Sequence, residues 1–249
     1  MSEALSLLLK QLRLVSMRQN FEQFAKEAEA KHWSYLGYLA ALCEAELAAR
    51  DSRRMQRYSQ ASKLPAGKSL ATFKFAVAKS VNQAQIQALA ENSVWVKETE
   101  NIVIFGPSGV GKTHLAAALG YAMIDHNVRV LFTQATALVQ KLQLAKKEYR
   151  LEEAIDKLSH YQLLILDDLG YVKKDEQESS VLFELIADRY ESGSIIITAN
   201  QAFSEWDQIF PNNVMAVAAI DRLVHHSTII NINEASYRRT QASEKSTNK

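Results

Sequence analysis

The stretch Ile102-Val103-Ile104-Phe105-Gly106-Pro107-Ser108-Gly109-Val110-Gly111-Lys112-Thr113-His114 decides the fold. Its first four residues are short, β-branched and aromatic, as a buried parallel strand should be. Residues 106 to 113 match G-x-x-x-x-G-K-[ST] in full, and the Ala- and Leu-rich segment from Thr113 to Asp125 has helical spacing. Strand, glycine-rich loop and helix together are the context a phosphate-binding loop requires. Gly106, Gly109 and Gly111 permit backbone conformations closed to other residues, so successive N–H groups converge on an anion at the positive end of the helix. Pro107, Ser108, Val110 and the flanking His114 complete the expected nucleotide contacts. Lys112 is expected to reach the β- and γ-phosphates, and the Thr113 hydroxyl to hold Mg²⁺.

Outward from this loop, strands and helices alternate. Strands are expected at 101–105, 128–132, 163–167, 194–198 and 228–232, with helices at 112–125, between 134 and 160, at 176–191 and up to 225. That order predicts an α/β fold, a parallel sheet with helices on both faces, whose ligand lies beyond the carboxyl ends of the strands. Residues 1–62 hold no proline, and Leu5, Leu8, Leu9, Leu12, Val15, Phe21, Phe24, Ala25 and Ala28 recur at helical spacing. This part reads as a small all-helical domain. Lys63-Leu64-Pro65-Ala66-Gly67-Lys68 is the first proline and glycine punctuation. The expected organisation is therefore a helical domain over 1–68, a nucleotide-binding domain over 69–238, and a disordered polar tail over 239–249.

Leu163-Leu164-Ile165-Leu166-Asp167-Asp168 is an apolar strand ending in two carboxylates, the form of a Walker B element. Asp167 is expected to bind Mg²⁺ and Asp168 to polarise the attacking water; the bland alternative is an Asp-Asp turn. Ile195-Ile196-Ile197-Thr198-Ala199-Asn200 repeats the layout. Asn200 is placed to bond the lytic water or the γ-phosphate, or else to cap the next helix. Arg222 has the residue type of an arginine finger, with a surface ion pair to Asp221 or Asp207 as the alternative. His225 and His226 diverge by about 100° on a helix and lack further ligands, which argues against zinc. Cys43, in Leu39-Ala40-Ala41-Leu42-Cys43, reads as a small core residue.

Net charge is +1 over 249 residues, with 47% hydrophobic content, so a nucleic-acid partner must be met by a local patch. Between residues 50 and 79 stand eight Lys or Arg residues against the single acid Asp51. Arg50, Arg53, Arg54 and Arg57 recur at i, i+3, i+4, i+7, and Lys68 follows; they are spaced to track phosphates, or to form a solvated helix face. One cysteine, no signal-peptide pattern and no apolar run near 20 residues point to a cytoplasmic protein without a membrane partner.

These motifs, with Leu9-Lys10-Gln11-Leu12-Arg13-Leu14, Glu44-Ala45-Glu46, Leu166-Asp167-Asp168-Leu169-Gly170-Tyr171, Trp206 and Asp221-Arg222-Leu223 before His225-His226-Ser227, resemble the IstB-like ATPases. These are transposition helpers of insertion sequences, related to the DnaC helicase loader in the AAA+ superfamily. The resemblance spans nearly the whole chain. It implies ATP and Mg²⁺ as cofactors, Asn200 as sensor 1, Arg222 as arginine finger, homo-oligomerisation on double-stranded DNA, duplex remodelling, and recruitment or stimulation of a transposase. Two departures stand out. Asp168 replaces the commoner Glu, which argues for slow turnover, and too few residues follow the last strand for a full C-terminal lid, leaving Arg238 as a substitute second sensor. A DnaC-like helicase loader and a non-hydrolysing nucleotide-binding scaffold are the competing readings.

Overall fold

The computed structural model describes residues 2–169, 176–201, 206 and 213–234. The expected tail and Arg238 lie outside the described residues. The chain divides into two compact units, Met1–Arg57 and Tyr58–Lys249.

The first unit is helical: α1 (Ser2–Gln11), α2 (Val15–Ala30) and most of α3 (Tyr35–Ser62), which runs on across the division. Its core is small, with Leu9, Met17 and Leu42 buried and Leu14, Phe21, Phe24 and Tyr38 packed around them. Leu5 and Leu8 of α1 and Leu12 just past its end, expected at helical spacing on one apolar face, are 41%, 56% and 66% exposed. Among the described side chains of α1, Leu9 alone is buried. Cys43 is also exposed, contrary to the core reading. The inward stripe of α3 runs through Tyr38, Leu42 and Glu46, and Cys43 stands one residue, about 100°, off it.

The second unit is a five-stranded parallel sheet of order β2-β3-β4-β1-β5, from β1 (Asn101–Phe105), β2 (Val130–Gln134), β3 (Leu163–Leu169), β4 (Ser194–Ala199) and β5 (Ser227–Asn231). Alternate residues of β1 to β4 feed two cores. Val103, Leu164, Leu166, Ile195 and Ile197 meet α7 (Ala135–Lys147), α8 (Leu151–Ser159), α9 (Glu176–Arg189) and α10 (Asn213–Val224). Ile102, Ile104, Leu163, Ile165 and Ile196 meet α4 (Gln83–Glu91), α5 (Val94–Lys97) and α6 (Lys112–Asp125). Burial on both faces explains why the strands read as unbroken apolar runs.

Two expected boundaries shift for physical reasons. Tyr58 and Leu64 pack into the second of these cores, so the unit begins at Tyr58 rather than at residue 69. Strand β2 begins at Val130 rather than 128 because α6 ends in a Schellman turn. Asn127 is left-handed (φ 64°), its N–H bonds Ile124 O at 2.9 Å, and Val128 N–H bonds Met123 O at 3.0 Å. Among the described residues no helix is long and apolar enough to cross a membrane.

Candidate nucleotide site

The order of the sheet puts β1 beside β4 and one strand from β3, so the loops after these three strands converge. Gly106 has φ 148°, and a Cβ there would stand 2.3 Å from Ile232 O, whose residue continues β5 and bonds Phe105 O through its N–H at 2.8 Å. Gly111 (φ 107°) opens α6, and a Cβ on it would press the Phe73 ring at 3.2 Å. The cradle therefore keeps its backbone bare at two points where a side chain has no room. Lys112 is buried, and its ammonium donates to Gly106 O (2.8 Å), Pro107 O (3.0 Å) and Asn200 Oδ1 (2.6 Å). The P-loop lysine and the polar residue after β4 thus meet across 88 positions of chain.

Asp167 is 5% exposed, and burial pushes its carboxyl above the usual carboxylate range. Hydrogen bonds from the Thr198 and Thr113 hydroxyls oppose that shift, the neighbouring Asp168 charge adds to it, and the Lys68 charge opposes it. A carboxylate joined to a hydroxyl at the start of α6 is a hard oxygen set that suits Mg²⁺. Asp168 is exposed and left-handed (φ 57°), at a bulge where the β3–β4 register passes from Leu166↔Ile197 to Leu169↔Ala199. Lys68, expected to face nucleic acid, lies near enough to Asp167 to bias its ionisation.

Beside the P-loop opens a cavity of about 410 Å³, lined by Phe73, Val77, Val110, Gly111, His114 and Glu234 among others. His114 Nε2 lies 3.1 Å from Thr72 Oγ1 and 3.0 Å from Ser69 O, and its ring meets Phe73 edge-on at 5.3 Å. Glu234, past β5, accepts from Ser80 N–H and, at 2.7 Å, from Ser80 Oγ, which ties the segment after Phe73 to the sheet. The sequence reading missed this wall. Its signal was the apolar cluster Leu70, Phe73, Phe75 and Val77 just after the Pro65 and Gly67 punctuation.

Arg222 lies elsewhere. Its guanidinium stacks over Phe183 of α9 at 5.2 Å and donates to Ala218 O at 3.4 Å. The next residue, Leu223, accepts through its carbonyl from Asn101 at the start of β1, 3.3 Å away. Arg222 is therefore at the opposite end of the sheet from its own P-loop, about 15 Å off by the rise of a strand. His225 and His226 follow it, with rings 4.1 Å apart and His225 Nδ1 3.3 Å from Tyr190 OH.

The arginines of α3 are not all unengaged. Glu46, buried, accepts from the Ser16 and Met17 N–H groups at 2.6 and 3.1 Å, so it caps α2 from the side. Arg50 Nε pairs with it at 2.8 Å and Arg53 at 3.6 Å, while Arg54 pairs with Asp51 at 2.5 Å. The count of one acid between residues 50 and 79 stopped four residues short of this carboxylate. Arg57 is exposed and forms no ion pair among the described residues.

Residues 7–245 match the family model described as IstB-like ATP binding protein. An insertion-sequence ATP-binding protein of Sinorhizobium fredii is 50% identical over 240 residues, 96% of this chain and 80% of that one. The ATP-binding protein of insertion sequence IS21 from Pseudomonas aeruginosa is 38% identical over 234 residues, 94% of this chain and 88% of that one. A crystal structure of the DnaC helicase loader superposes with TM-score 0.52 at 21% identity, over 71% of this chain and 98% of that one, which shows the AAA+ P-loop fold. With residues 7–245 matched by the family model and a relative 50% identical over 96% of the chain, the chain belongs to the IstB-like ATP-binding proteins.

Proposed function

We propose that this protein is an ATPase that acts in insertion-sequence transposition, assembling on double-stranded DNA, remodelling it, and recruiting or stimulating a transposase. The observation that carries the ATPase part is the meeting of Lys112, Asn200, Thr113 and Asp167 at one edge of the sheet, at the N-terminus of α6.

In this reading the ammonium of Lys112 leaves the Gly106 and Pro107 carbonyls for the β- and γ-phosphates, a charged partner in place of neutral ones. Its departure releases Asn200, which turns to the γ-phosphate or the attacking water. Asp167 and Thr113 would hold Mg²⁺, which would supply positive charge to offset that of the phosphates. Asp168, exposed at the mouth of the cleft, accepts the water proton. The cavity walled by Phe73, Val77 and His114 takes the base. The arginines of α3 supply the phosphate contacts to duplex DNA, with Arg57 the least engaged of them. The names of the two sequence relatives support an insertion sequence as the setting, whereas the DnaC likeness speaks for fold alone.

The test is turnover of labelled ATP by the full chain with and without Mg²⁺, compared with Lys112→Ala. Removing the lysine costs a charged hydrogen bond of about 1.5–3 kcal/mol, so ATP should bind roughly tenfold to a hundredfold more weakly by calorimetry. Equal affinity in the two proteins would overturn the site. Binding without turnover above the Lys112→Ala level would leave a nucleotide-binding scaffold instead.

A further inference from the structure

We propose that Thr198 is a positioning residue that holds the two carboxylates at the end of β3 in their working arrangement. The inference rests on the ATPase reading above and deepens it. Thr198 is fully buried in β4, two residues before Asn200. Its hydroxyl donates to Asp167 Oδ1 at 2.7 Å and accepts from the Asp168 N–H at 2.9 Å. One small side chain therefore touches both acids, the first through the side chain and the second through the backbone.

The surrounding strands explain why a hydroxyl is needed there. Ile196 and Ile165 face the α6 side of the sheet, and Thr198 and Asp167 are the next residues on that side of their strands. At this point β3 has one residue more than β4 between paired positions, and the extra residue is Asp168. Its N–H has no ladder acceptor at the bulge, and the Thr198 Oγ lone pair takes that role. The left-handed turn at Asp168 then brings Leu169 back to full burial among the α7 and α9 side chains. Oδ1 is thus committed to Thr198, which holds Asp167 from β4, while the Thr113 hydroxyl of α6 lies near enough to favour the charged carboxylate. A valine in place of Thr198 would keep the volume and the β-branch while deleting both bonds.

Partners that orient a metal-binding carboxylate are worth about tenfold to a hundredfold in metal affinity. The experiment uses the full chain saturated with the non-hydrolysable analogue AMPPNP, into which Mn²⁺ is titrated and followed by electron paramagnetic resonance. Thr198→Val should bind Mn²⁺ about tenfold or more weakly while its AMPPNP affinity in EDTA stays at the wild-type value, and Thr198→Ser, which restores the hydroxyl, should return to the wild-type curve. In the unliganded chain the Asp168 amide should exchange slowly in wild type and Thr198→Ser, and fast in Thr198→Val. Wild-type Mn²⁺ binding by Thr198→Val would overturn the proposal, as would a folded Thr198→Ser chain that fails like the valine variant. If the valine chain does not fold, a fast-exchanging Asp168 amide in the wild type is enough to overturn it. A wild-type chain that takes up neither AMPPNP nor Mn²⁺ would overturn the ATPase reading as well, so the two failures are separable.

Discussion

Asp168 sits at φ 57°, a backbone conformation that Asp and Asn adopt several-fold more readily than other residues with a Cβ. This offers a physical reason for the short acid where a Glu is commoner: the bulge that turns Leu169 back to the core demands a left-handed residue, and Asp meets the demand. Asp168→Glu would lengthen the reach toward water but cost about 1 kcal/mol in the turn, lowering the melting temperature by roughly 2–4 °C. Asp168→Asn keeps the turn and loses the proton acceptor, so ATP binding and melting temperature should hold while turnover falls by about 10²-fold or more. Calorimetry and labelled-ATP turnover on the two variants check this. An Asp168→Asn chain with wild-type turnover would remove Asp168 from the chemistry. At this scale the P-loop, Asp167 and Asn200 were legible because each ends an apolar run within a local pattern. Thr198, Ser80 and Glu234 were not, since their partners stand 30 or more residues away.

The elements show the same division between local and distant causes. Strands of the sheet were readable from unbroken apolar runs, and the shift of β2 followed from a helix-end motif signalled by Asn127, whose left-handed turn no periodicity marks. Helix α3 was harder, because its inward face carries an acid. Glu46 is buried against the start of α2, and although burial pushes its carboxyl up, the hydrogen bonds from Arg50, Met17 and Ser16 and the Arg50 charge outweigh this and leave it lowered from 4.5. A carboxyl lowered in the folded state stabilises the helical unit above its unfolded value, and that contribution is lost as the pH falls through the folded value. Amide exchange at Ser16 and Met17 should therefore accelerate below about pH 4.5 in the wild type, and Glu46→Gln, which cannot ionise, should show no such step. Arg50 and Arg53 share this anchor, so replacing them confounds folding with binding. Arg57→Ala is the cleaner probe of DNA contact: it should weaken binding uniformly across duplex sequences and reduce the log-log salt slope by about 1. An unchanged slope would mark Arg57 as a solvated residue only.

In the whole molecule the informative distance is the one between Arg222 and the chain's own phosphate loop. Arg222 adjoins Leu223, which is tied to the start of β1, and the P-loop follows the end of that strand, so the guanidinium faces away from the nucleotide it would have to serve in cis. Its present partners are the Phe183 ring and a backbone carbonyl, contacts that a second chain could replace with a phosphate. Two ends of one molecule that complement each other are a heterologous pair, and such pairs build rings or filaments. Hydrolysis should then depend on assembly, and both duplex DNA and higher protein concentration should raise the specific activity. An Arg222→Ala chain would bind ATP through its own P-loop yet turn it over about 10³-fold more slowly or worse, by comparison with other arginine fingers. Mixing Arg222→Ala with Lys112→Ala is decisive, because an interface between the two can combine one intact P-loop with one intact finger. Turnover that returns in the mixture and peaks near equal proportions places the finger in trans. Two inactive proteins that co-assemble by sedimentation yet stay inactive at every ratio would exclude it, and leave Arg222 as the surface partner of Phe183.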